Sequence, residues 1–172
     1  MYDQLKQLLK DTGAVKTGDF TLSSGKKSNF YVDGKQVTCH PLGLKLMADI
    51  ILDKIKGMKV DAVGGLTIGA DPIAAAVAIQ SQGKIAAFIV RKEAKGHGLG
   101  KEIEGIIKPG WKVVVVDDVI TTAGATLKAI AAVEKIGCKV VKVICLVDRE
   151  EGGAEALKNY DFDPLFKKSE LV

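Results

Sequence analysis

The chain has 172 residues, 47% hydrophobic and 27% charged, which is enough for one domain with a real core and too apolar for a disordered segment. Its formal net charge of +4 suits anionic small molecules but is too weak to argue for nucleic acid, and the basic residues lack the aromatic interleaving of single-strand binders. The charged start MYDQLKQLLK is unlike a signal peptide, and no apolar run approaches the ~20 residues of a membrane span.

Three cysteines, Cys39, Cys138 and Cys145, form no C-x-x-C pair, and buried free thiols are expected for Cys138 and Cys145. A soluble protein of a reducing cytoplasm is expected. In chain order, Leu5, Leu8 and Leu9 mark one face of a first helix that closes near Gly13. Residues 20–33 look irregular and extended, with a short strand over Phe30, Tyr31 and Val32. Residues 41–57 predict a helix, with Leu42, Leu46, Ile50 and Ile51 suitably spaced. His40, just before it, reads as structural, because Cys39-His40 has no partner spacing for zinc.

Residues 60–65 predict a strand; a helix then opens at Asp71-Pro72, with Asp71 as its cap, and runs to Gln80. Strands follow over 85–90 and 113–116, a helix over 124–136, a strand over 140–147 and a short last helix over 153–160. Apolar strands without alternation, separated by helices, indicate a doubly wound α/β domain with a mostly parallel sheet. The pattern fails between Arg91 and Pro109, where a long, charged, Gly-punctuated segment suits a lid.

Ligands of open α/β sheets bind beyond the carboxyl ends of the strands. One such end carries Asp117-Asp118, followed by Val119, Ile120, Thr121, Thr122, Ala123, Gly124, Ala125 and Thr126. Adjacent carboxylates need hydroxyl donors or a cation, and a turn of small residues running into a helix offers backbone N–H groups to a phosphate. Together they describe a ribose 5-phosphate; an N-capped turn with a solvated acidic pair is the plainer alternative. Gly96-His97-Gly98-Leu99-Gly100 is rejected as a dinucleotide fingerprint because no apolar helix follows, and there is no P-loop sequence.

The stretch from Val113 to Gly124 resembles the signature of type I phosphoribosyltransferases, which use 5-phosphoribosyl 1-diphosphate (PRPP). Phe20 to Tyr31 is similar to the N-terminal segment of orotate phosphoribosyltransferases, Arg91 to Gly98 to their mobile catalytic loop, and Leu146 to Arg149 to their fourth motif. The matches run in family order over nearly the whole chain. The resemblance implies one domain over residues 1–172, with a small hood from about residues 1–40 plus the C-terminal tail and a mobile loop over about 91–108. It also implies transfer of 5-phosphoribosyl from PRPP to orotate, with Mg²⁺, giving orotidine 5′-phosphate and pyrophosphate for de novo pyrimidine (UMP) synthesis.

By that resemblance Asp117 and Asp118 hold the ribose hydroxyls and Thr121 to Ala125 the 5-phosphate, with Val119 and Ile120 also lining the PRPP site. Arg149, Thr121, Lys26 and Tyr31 meet orotate, the arginine taking its carboxylate, while Lys95, His97, Lys92 and Arg91 stabilise the departing pyrophosphate. Asp71 is a candidate for orienting magnesium-bound water. A homodimer with shared active sites is implied, with no nucleic-acid or membrane partner. A solvated loop around Lys95 and a salt bridge from Arg149 to Glu150 or Glu151 are the plainer readings. Two positions depart from the best-known bacterial members: Ser23 stands for a lysine, and Ile68-Gly69 for Tyr-Lys. Transfer to adenine or xanthine, and a non-catalytic PRPP-sensing regulator, are the competing functions.

Overall fold

The computed structural model describes residues 1–21, 27–93 and 101–172. Helix α1 (Tyr2–Asp11) packs Leu5 and Leu9 inward. Strands β1 (Val15–Thr21) and β2 (Lys27–Val32) then form an antiparallel hairpin, with a bulge between Thr17 and Phe20. The short α2 (Lys35–Thr38) leads into α3 (Pro41–Lys54), where the ring of His40 accepts a hydrogen bond from the Leu42 N–H at 3.2 Å. His40 is thus a helix cap, in the structural role the sequence suggested.

The remaining elements build the main sheet. They are β3 (Ala62–Leu66), α4 (Asp71–Gln80), β4 (Ala86–Val90), β5 (Ile103–Gly105), β6 (Lys112–Ile120), α5 (Gly124–Lys135), β7 (Lys139–Asp148), α6 (Gly153–Ala156), β8 (Phe166–Lys167) and α7 (Lys168–Leu171). The strand order is β5-β4-β3-β6-β7-β8, parallel throughout except that β5 runs antiparallel to β4. From β3 the chain goes outward to β4 and later returns to the other side of β3 as β6. The crevice between the carboxyl ends of β3 and β6 is therefore a topological switch point, where such sheets bind ligands.

Side-chain alternation along β6 builds both layers of the core. Val114 and Val116 pack with Ile50, Ile73 and Val77 under α3 and α4, while Val113 and Val115 pack with Ile130 and Val133 of α5. All four valines are at most 1% exposed. Each such side chain contributes about 1.5–3 kcal/mol relative to exposure, so a charge placed at Val115 would break the layer. Cys138 and Cys145 are buried free thiols. Among the described residues, no helix is long and apolar enough to cross a membrane.

Several elements differ from the sequence reading. The segment around Phe20 is the β1–β2 hairpin, and the last helix stops at Ala156 because α6 is a single turn. Asp71 is the first residue of α4 rather than its cap; Ala70 occupies the cap position, and Asp71 instead accepts a hydrogen bond from the Thr67 hydroxyl at 2.7 Å. Residues 103–105 of the long charged segment pair with β4, so it is partly a hairpin.

Candidate active site

The acid pair lies inside β6, because that strand continues to Ile120 along β7. Pairing with β3 ends earlier, at Gly64 opposite Val115. Asp117 and Asp118 therefore sit where β6 projects past β3, at the switch point. Both are 7% exposed.

The backbone and neighbours supply what two buried carboxylates need. Asp117 accepts from the Asp118 N–H at 2.9 Å and from the Thr126 hydroxyl at 3.2 Å. Asp118 accepts from the Val119 N–H at 2.9 Å and from the Lys35 ammonium at 2.7 Å. Burial, followed by the neighbouring Asp118 charge, pushes the Asp117 carboxyl up to about 7. The hydrogen bond to Asp118 raises Lys35 above its ordinary value.

Two backbones close over the pair. A Cβ on Gly69 would lie 2.5 Å from Asp118 Oδ1 and 2.7 Å from Asp117 Oδ1, and one on Gly34 would lie 3.0 Å from the Asp118 Cβ. With any side chain at position 69 the turn or the carboxylates would have to give way. A lysine at position 69 would have to push the two carboxylates aside; Ser23, the other departure from the bacterial pattern, is outside the described residues.

Beyond the pair, residues 121–123 turn into α5 with Ala123 left-handed at φ 65°. Thr122, Gly124 and Ala125 are exposed, and a cavity of about 210 Å³ is lined by Asp117 and residues 119–126. The first N–H groups of α5 have no acceptor within the helix, so they face a ready anion site.

On the other side of Gly69, a cavity of about 520 Å³ is lined by Thr67, Asp71, Ile89, Arg91, Lys92 and Glu93. Arg91 pairs with Glu104 at 3.1 Å, and the Lys92 carbonyl accepts from the Lys128 ammonium. Asp71 Oδ1 is buried with no hydrogen bond from the described residues. The larger cavity of about 650 Å³, lined by Ile79, Lys84 and Trp111, opens at the amino ends of the strands, away from the acids, and lacks their converging polar groups.

Arg149 follows β7, and its N–H donates to the Ile120 carbonyl at 2.9 Å, which brings it beside Thr121. Its side chain is only 9% exposed. The guanidinium meets Glu151 Oε1 at 2.8 and 3.0 Å and reaches the Phe30 carbonyl of β2 at 3.5 Å. The ion pair with Glu151 that the plainer reading expected is present; its arginine end is buried while Glu151 is exposed. Tyr31, on the opposite face of β2 from Phe30, is 40% exposed and its ring lies 5.6 Å from that of Phe20.

The structure thus gathers Asp117 to Ala125, Arg149, Arg91, Lys92 and Asp71 around one crevice. Lys26, Lys95 and His97 lie outside the described residues. Sequence reasoning missed Lys35 and Gly34; Glu151 was one of the two partners foreseen for Arg149, and Thr126 one of the hydroxyls foreseen beside the acids. Lys35 contacts a residue 83 positions away and left no local signal.

Residues 33–165 match the phosphoribosyl transferase domain family. A protein of Rhodopirellula baltica named orotate phosphoribosyltransferase is 48% identical over 157 residues, covering 86% of this chain and 81% of that one. One of the same name from Aquifex aeolicus is 44% identical, covering 99% of this chain and 97% of its own. The chain belongs to the orotate phosphoribosyltransferase family. The family fold is equally plain in three dimensions. The Mycobacterium tuberculosis orotate phosphoribosyltransferase in complex with PRPP superposes with a TM-score of 0.84 at 33% identity, over 99% of this chain and 98% of that one.

Proposed function

We propose that the chain transfers the 5-phosphoribosyl group of PRPP to orotate, giving orotidine 5′-phosphate and pyrophosphate. Orotate N1 forms the bond to C1 with inversion as the C1–O bond breaks, its electron pair leaving with pyrophosphate and the N1 proton going to solvent. One observation carries this reading: the 210 Å³ cradle, the acid pair, Gly69 and the 520 Å³ cavity follow one another along the crevice. That succession matches 5-phosphate, ribose diol and diphosphate.

Residues 121–125 cradle the 5-phosphate, with Val119 and Ile120 lining the same site, and Asp117 and Asp118 accept from the ribose hydroxyls. Thr121, Arg149, Lys26 and Tyr31 surround orotate, with Arg149 turning its planar fork from Glu151 to the orotate carboxylate. Lys95, His97, Arg91 and Lys92 offset charge on the departing pyrophosphate behind a closed loop. Mg²⁺ supplies charge neutralisation on the diphosphate. Asp71 suits a water of its shell, since Oδ2 is occupied by Thr67 and the buried Oδ1 has an acceptor's lone pairs to offer. The protein works in the cytoplasm as a homodimer with shared sites, the loop of one subunit reaching its neighbour's crevice.

Purified protein incubated with Mg²⁺, PRPP and orotate tests the reading through the loss of orotate's ultraviolet absorbance. Turnover of adenine or xanthine instead would refute the substrate, and no turnover of any base would point to a PRPP-sensing regulator.

A further inference from the structure

The acid pair presents a charge problem that the reaction described above makes worse. Two adjacent buried carboxylates must receive a ligand that itself carries several negative charges, and repulsion of that kind acts strongly where water is excluded. Among the described residues, the one cation in contact with the pair is Lys35, whose Nζ lies 2.7 Å from Asp118 Oδ2. Its place is set by the fold: Gly34 packs on the Asp118 Cβ and Val119, so α2 begins against the site, and the Lys35 side chain is 49% exposed along the crevice.

The two oxygens of Asp118 have separate surroundings. Oδ1 takes the Val119 N–H and faces Gly69, whereas Oδ2 faces Gly34 and Lys35. A carboxylate oxygen has two lone pairs, so Oδ2 can keep the ammonium and still accept from a ribose hydroxyl. The lysine and the sugar therefore need not compete.

We propose that Lys35 is a positioning residue for PRPP, holding the Asp118 carboxylate against the start of α2 and lowering the repulsion that the acid pair exerts on the incoming diphosphate. The proposal rests on the phosphoribosyl-transfer reading. It assigns Lys35 to one substrate only: PRPP affinity depends on it, while orotate affinity and the rate at saturating PRPP do not.

The test uses the full-length Lys35→Met, Lys35→Gln and Lys35→Arg variants. PRPP binding in Mg²⁺ is followed by calorimetry, and KM for each substrate and kcat by steady-state kinetics. An ion-paired hydrogen bond on a half-exposed side chain leads us to expect PRPP to bind about tenfold more weakly in the Met and Gln variants. Orotate KM and kcat should stay within about twofold, and Lys35→Arg should recover most of the loss. PRPP binding as tight as in the wild type, or tighter, would overturn the proposal, as would equal losses for both substrates or no recovery with arginine. If the wild-type protein binds PRPP but does not consume orotate, the substrate reading fails while calorimetry still decides the role of Lys35.

Discussion

Replacing Asp117 with asparagine should make the protein more stable and less active, with a gain that depends on pH. Asp117 titrates near 7 instead of its ordinary 3.8. Between those values the folded protein holds a proton that the unfolded chain has released, so stability falls as pH rises through this window. Each pH unit is worth about 1.4 kcal/mol, which makes about 4 kcal/mol across the window, fully expressed above pH 7. The substituted carboxamide would mimic the protonated acid: its oxygen can still accept from the Asp118 N–H, and its NH₂ group can donate to the Thr126 hydroxyl. Urea unfolding of both proteins at equal concentration, from pH 5 to 8, reads the difference. Asp117→Asn should gain about 2 kcal/mol between pH 5 and 7 relative to the wild type, while kcat/KM for PRPP drops about tenfold or more. A stability difference that does not change with pH, or a less stable variant at pH 8, would refute the reasoning.

Gly69→Ala would place a methyl 2.5 Å from Asp118 Oδ1, forcing the turn or the acids aside. A displacement near 1 Å lowers kcat/KM about a hundredfold, so kinetics equal to the wild type would show that the turn yields freely. Lys95→Ala should slow turnover about a hundredfold or more with an unchanged melting temperature, and undiminished turnover would return that segment to a merely solvated loop. Arg149→Ala should raise the KM for orotate far more than that for PRPP. It should also lower stability by roughly 1–3 kcal/mol in denaturant unfolding, because Glu151 and the Phe30 carbonyl lose a donor. Equal weakening of both substrates would make this arginine structural only.

The elements read correctly are those whose signal is local. The β-branched run at Val113 to Val116 and the small-residue turn after it could mean little else, and α4 ended at Gln80 as its composition suggested. Strand β1 went unread because Val15 to Thr21 alternates weakly and is held by pairing with β2 rather than by its own propensity. Strands β5 and β8, of three and two residues, are too short to carry a period, and exist because the sheet edge offers them partners. At the site, the acids and the cradle were visible as a motif. The closeness of Gly69 and Lys35 to those acids was not, since it arises only when the β3–α4 turn and α2 are folded onto β6.

The link from Arg149 to the Phe30 carbonyl bears on how such a protein could drift toward another base. The same guanidinium proposed to take the orotate carboxylate also helps to seat the amino-terminal hairpin on the sheet. Deleting it to welcome a neutral base would weaken the seating of that hairpin in the same step. A change of preference must therefore come with compensation at Glu151 or along β2, so single substitutions here lead downhill and the route between specificities runs through pairs.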